Sequence, residues 1–175
     1  ISFGVMSKKP VIVFEGIEGS GKSFHINTVS KYLKKKKIDH IKLREPGGSK
    51  NAEKIRKLIL NSKINFHKDT DLLLYLASRS ENMILLKKSY RKKIILIDRF
   101  LDSTIAYQHY GLGVNLSLIN MINSYLLKNF KIDFTFLNLV NKKNMILRLK
   151  KRKNLNRYDK FKNDFYKKVQ NGFLK

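Results

Sequence analysis

Residues Gly16-Ile17-Glu18-Gly19-Ser20-Gly21-Lys22-Ser23 follow the apolar run Val11-Ile12-Val13-Phe14 and satisfy the pattern G-x-x-x-x-G-K-[ST] at every specified position. The pattern demands a strand, a tight loop and a helix in that order, because the loop works only when its backbone NH groups converge on one point. Glycines permit the curl, Lys22 adds a charge that reaches a transferred phosphate, and the Ser23 hydroxyl is placed to hold a magnesium ion. Residues 22–36 then read as a helix whose free N-terminal NH groups and dipole face the same anion. The loop from Gly16 to Ser23 is therefore expected to cradle the phosphates of a nucleoside triphosphate.

Apolar runs rich in β-branched residues at 11–14, 41–43, 94–97 and 134–139 read as buried strands. Stretches of helical spacing at 52–60, 71–90, 116–129 and 142–153 lie between and after them. That alternation predicts an α/β fold of three layers, a parallel sheet with helices on both faces, as one domain over residues 1–175. A last amphipathic stretch, 160–174, sets Phe161, Phe165, Val169 and Phe173 on one side and reads as a packing face. In such sheets ligands collect at the carboxyl ends of the strands. There stand the phosphate loop, the turn Arg44-Glu45-Pro46-Gly47-Gly48-Ser49 with its charged pair, and Asp98-Arg99-Phe100.

The absence of cysteine excludes disulfides, thiolate metal sites and cysteine nucleophiles, so any metal is held by oxygen or imidazole, and a reducing cytoplasm is the expected setting. No apolar stretch approaches the roughly 20 residues that span a bilayer, and no membrane partner is expected. The net charge of +25 invites a nucleic-acid reading. Its lysines are instead scattered over helical stretches among asparagines and isoleucines, and the run 34–37 suits a helix C-terminus. The charge is expected to concentrate anionic substrates and to cause weak, salt-sensitive sticking to nucleic acid without a specific site. The chain opens on Ile1, and Met6 is the expected natural start.

The ordered segments Phe14-Glu15-Gly16-Ile17-Glu18-Gly19, Arg44-Glu45-Pro46-Gly47-Gly48, Leu74-Tyr75-Leu76-Ala77-Ser78-Arg79 and Ile97 through Gln108 resemble those of the thymidylate kinase family. The last is similar to the family signature D-R-[FYH]-x-x-S-[ST]-x-A-Y-Q and is the most specific element. The resemblance implies a phosphate-loop nucleoside monophosphate kinase fold, transfer of phosphate from ATP to dTMP with Mg2+, and a homodimer formed through helices flanking the sheet. It assigns Lys22, Arg99 and Arg152 to catalysis, and Glu18, Arg44, Tyr75, Arg79, Arg99, Thr104, Tyr107 and Gln108 to dTMP. It gives Ser23 and Asp98 to the metal, and Arg148, Arg152 and Arg157 to a lid over residues 148–160. Spacing alone reads Tyr75 as core and Arg79 as an exposed helix residue; only the resemblance reverses that.

Several positions depart from the family pattern: Phe24-His25 after the loop serine, His109, Leu112, and Asn156 before Arg157. The family continues beyond the position of Lys175 into a further strand and helix, so the C-terminus is expected to be incomplete. Competing expectations are a kinase for another nucleoside monophosphate or a deoxynucleoside, a basic ATP-binding nucleic-acid protein, and an inactive copy that still binds its ligands.

Overall fold

A computed structural model of the chain describes residues 9–151 and 156–175; Met6 and Arg152 lie outside the described residues. Strands β1 (Val11–Glu15), β2 (His40–Arg44), β3 (Ile94–Asp98) and β4 (Phe134–Leu137) form one parallel sheet in the order β2-β3-β1-β4. Helix α1 (Lys22–Lys35) links β1 to β2, while α2 (Lys50–Ile59) and α3 (Lys68–Ser89) link β2 to β3. A helical segment built of α4 (Leu101–Thr104) and a π-helical stretch (Ile105–Gly111) follows β3, then α5 (Leu116–Leu127), and α6 (Lys142–Lys150) and α7 (Asn163–Phe173) follow β4.

The period of two along each strand decides the layers. Val11, Val13, Ile95 and Ile97 face one side, where they meet Met83 and Leu86 of α3 together with Phe100, Leu127 and Phe130. Ile12, Phe14, Ile94 and Leu96 face the other, against Ile26, Val29 and Leu33 on one stripe of α1. Each fully buried aliphatic side chain here contributes about 1.5–3 kcal/mol. A further cluster closes over the carboxyl end of the sheet, where Ile17, Ile59, Tyr107, Met145, Tyr158 and Val169 gather from six segments.

Phe165, Val169 and Phe173 of α7 belong to that cluster, and Phe161 stacks on Phe165 with ring centroids 4.1 Å apart. The close approach needs Gly111, where an added Cβ would stand 2.7 Å from the Phe165 ring. The strand predicted to be buried over 134–139 is shorter and largely exposed, with Phe134 57% and Phe136 54% exposed. Its apolar run reads as that of a central strand, yet β4 is the sheet edge and pairs with β1 alone. Among the described residues no helix is long and apolar enough to cross a membrane.

Candidate active site

The parallel strands deliver the ends of β1, β2 and β3 to one cavity of about 640 Å³. Gly21, left-handed at φ 96°, turns the chain into α1, whose first turn carries no acidic residue and no side-chain cap. Its amide groups are thus left for an anion. Gly16 has φ 134°, and a Cβ there would collide with the carbonyl oxygen of Asn138 and approach Ser20 Oγ to 2.9 Å. Lys22 folds back over its own loop, donating from Nζ to the carbonyls of Gly16 (2.7 Å) and Ile17 (2.8 Å). Burial and the neighbouring Arg99 pull its pKa down to about 7, against the opposing pull of Glu18, Asp98 and Glu15. Ser23 Oγ donates to Asp98 Oδ2 at 3.3 Å.

Arg99 follows β3 in a left-handed conformation, φ 67°, a geometry that costs a non-glycine residue roughly 1–2 kcal/mol. The surroundings hold it there. Its backbone NH donates to Phe14 O at 3.0 Å, Nη1 to Gly16 O at 2.8 Å, and Nη2 to Glu18 Oε1 at 2.8 Å, while the guanidinium lies 4.9 Å over the Tyr107 ring. Burial disfavours this cation, but Tyr107, Glu18, Asp98 and Glu15 outweigh it and raise its pKa. Burial likewise works against the Glu18 carboxylate, and Arg99, Lys22 and a hydrogen bond from the Tyr107 hydroxyl hold its pKa below the usual range. Beneath them Glu15, 1% exposed, accepts from the backbone NH groups of Phe100 (2.9 Å) and Ser103 (3.2 Å) and from Ser103 Oγ. A side chain from β1 therefore caps α4, whose own N-cap residue Phe100 offers none.

Arg79 is not on the helix surface: it lines the cavity, is 2% exposed and makes four hydrogen bonds. Nε donates to Glu45 Oε2 (2.8 Å), Nη1 to Asn123 Oδ1 (2.6 Å), and Nη2 to Phe100 O (2.9 Å) and Thr104 Oγ1 (2.8 Å). The charged pair expected beside the turn is likewise divided. Arg44 bonds Glu53 of α2 at 3.1 Å, whereas Glu45 pairs with Arg79. Local adjacency loses to burial here, since Glu45 is sealed under the turn, where Arg79 pairs with it and Asn82 donates a further hydrogen bond.

Tyr75 lies at the cavity wall with the Tyr158 ring edge-on to it, centroids 6.0 Å apart. Thr104 and Gln108 line the same cavity at 3% and 0% exposure, brought there by α4 and the π-helical stretch. Arg148 of α6 donates from Nη1 to Gly19 O at 2.6 Å, over the phosphate loop. Arg157 is instead ion-paired with the buried Asp71. The structure thus brings together Lys22, Ser23, Arg44, Tyr75, Arg79, Asp98, Arg99, Thr104, Tyr107, Gln108 and Arg148. Gly16 and Ile17 lie behind the wall, and Arg157 faces Asp71 rather than the loop.

Four neighbours escaped the sequence reading. Arg56 of α2 lines the cavity with Nη1 on Pro46 O at 2.7 Å, hidden in sequence by its lysine-rich surroundings. Glu15 adjoins the loop but carries no motif signal of its own, and Asp71 and Tyr158 become part of the site only through contacts spanning much of the chain.

The family model for thymidylate kinase matches residues 14–175. The chain is 40% identical over 166 residues to a thymidylate kinase of Thermosipho africanus, covering 94% of this chain and 82% of that protein. It is also 40% identical over 169 residues to one of Acholeplasma laidlawii, covering 94% and 83%. Among solved structures, thymidylate kinase from Ehrlichia chaffeensis superposes with a TM-score of 0.76 at 32% identity, covering 95% of this chain and 80% of that one.

Proposed function

The chain belongs to the thymidylate kinase family and phosphorylates dTMP with ATP as donor, and we propose the following division of labour within its cleft. The acceptor phosphate oxygen attacks the γ-phosphorus of ATP in line, so no protein nucleophile is needed and the protein's task is positioning and charge compensation. Loop NH groups and the start of α1 take the ATP phosphates. Lys22 exchanges its loop carbonyls for phosphate oxygens, which serve it better because they are charged. Arg99 takes the phosphate of dTMP, with Glu18 and Gly16 O fixing two edges of its guanidinium fork. The observation that supports this is the 2.8 Å hydrogen bond from Arg99 Nη1 to Gly16 O, which ties this cation to the phosphate loop.

Ser23 and Asp98 are the oxygen donors that suit Mg2+, adjacent at 3.3 Å. Among the described residues no cluster of three acidic or imidazole groups exists to cage a metal, and Mg2+ needs none, since water and substrate phosphates complete its shell. When bound there, the ion supplies charge neutralisation along the phosphates. Arg148 and Arg152 serve the donor side. The bond to Gly19 O supports the first, and the second rests on its place four residues further along the sequence.

Tyr75, Arg79, Thr104, Tyr107 and Gln108 form the nucleoside side of the cleft, with Arg44 at its edge; their shared cavity supports this. We place the enzyme in the cytoplasm as a homodimer. Support for the dimer is the stripe Leu73, Ala77 and Ile84 on α3, exposed beside Met121 and Tyr125 of α5. Sedimentation of the purified protein tests it, a dimer mass being the expected result. Release of ADP across a panel of nucleoside monophosphates, at moderate salt, tests the function. Turnover selective for dTMP is expected, and equal turnover of several bases would overturn the assignment of the nucleoside side.

A further inference from the structure

Asp71 stands in the first turn of α3, 1% exposed, and phosphate chemistry makes no use of it. Three donors converge on its carboxylate. Arg157 Nη2 and the Tyr158 hydroxyl come from the segment after α6, and Gln108 Nε2 comes at 3.3 Å from the π-helical stretch. The Tyr158 oxygen is also 3.4 Å from Gln108 Nε2. A carboxylate offers acceptors only, and a hydroxyl that has given its proton to that carboxylate has only lone pairs left. Both groups at this end of the Gln108 amide therefore require its NH2. The carbonyl is turned the other way, and its Oε1 is buried without a hydrogen-bond partner in a residue that lines the nucleotide cavity.

We propose that Asp71 is a specificity-determining positioning residue, which fixes the Gln108 amide so that its carbonyl oxygen serves the acceptor base and the pocket demands a ring N–H. Thymine carries that N–H at N3, whereas cytosine has a lone pair at the same position and meets the carbonyl oxygen acceptor to acceptor. Arg157 balances the buried carboxylate, and the Tyr158 ring, edge-on to Tyr75 at 6.0 Å and to Tyr107 at 5.8 Å, keeps the three elements in register. The inference rests on the assignment of this cavity to dTMP.

Its test compares binding and kcat/KM for dTMP and dCMP in the wild type and in Asp71→Asn. Asparagine keeps the shape but can present its own NH2 to Gln108, which allows the Gln108 amide to turn over. The expected result is a dTMP:dCMP preference at least ~10-fold lower in the variant, the loss of one matched hydrogen bond, with dCMP gaining in absolute terms. A merely structural role lowers both nucleotides alike, so an unchanged ratio in folded Asp71→Asn overturns the inference and leaves the dTMP assignment standing. A wild type that binds neither nucleotide refutes the assignment and the inference together. Should the variant not fold, the wild type still answers by NMR. Contacts from the Gln108 NH2 protons to the Tyr158 ring, kept when dTMP is added, support the inference, and contacts from that NH2 to the bound base overturn it.

Discussion

Replacing Arg79 with methionine keeps a long apolar stem but deletes a buried charge in the lining of the cavity. The pair it forms with Glu45 has side chains 2% and 4% exposed and a shortest separation of 2.7 Å, so the solvent screening that weakens surface pairs does not apply. Breaking such a pair from one side costs about 3–5 kcal/mol, because the remaining charge is left buried and unmatched. Asn123 Oδ1, Phe100 O and Thr104 Oγ1 lose donors at the same time. For a chain of this size the cost corresponds to a fall in Tm of about 6–20 °C.

The pH dependence identifies the cause. Burial raises the Glu45 pKa above its ordinary 4.5 despite the pull of Arg79 and Asn82, and without Arg79 it rises further. A carboxyl whose folded pKa is raised favours the native state below the unfolded value and loses that advantage as pH climbs through the folded value. The deficit of Arg79→Met relative to wild type is therefore expected to grow with pH above 4.5 and to shrink toward acid. Adding Glu45→Gln to Arg79→Met should recover part of the loss at neutral pH. Urea unfolding of wild type, both single variants and the double variant at pH 5 and pH 8 measures all of this. A deficit below ~1 kcal/mol, or one that is flat with pH, would refute the reasoning.

Gly16→Ala places a methyl against Asn138 O at φ 134°, and is expected to lower Tm and to raise the KM for ATP, while equal values for both would show that the loop yields without cost. Arg99→Lys keeps the charge but loses the planar fork, so kcat/KM for dTMP should drop ~10²-fold, about 2.7 kcal/mol, with ATP binding by calorimetry little altered. Arg148→Ala removes an exposed side chain, so unfolding free energy should stay within ~0.5 kcal/mol of wild type while kcat falls, and an unchanged kcat would remove Arg148 from the donor side.

The sequence by itself determined the phosphate loop, the alternation of strands and helices, and the residues at three strand ends, because each is written in a short window. A G-x-x-x-x-G-K-S run has one backbone solution after a strand, and a period of two or of one helical turn needs no distant partner. Tertiary structure alone decided which charges meet. Arg44 turns to Glu53 and Arg79 to Glu45, although neighbours in sequence suggest Arg44 with Glu45. Asp71, Gln108 and Tyr158 form one buried cluster across separations of 37 and 87 residues. The exposure of β4 was illegible for the same reason, since its apolar run is that of a central strand and only the order of the sheet puts it at the edge. Local geometry follows from steric limits on a few adjacent residues, whereas the pairing of buried charges follows from which groups the whole packed molecule excludes from water.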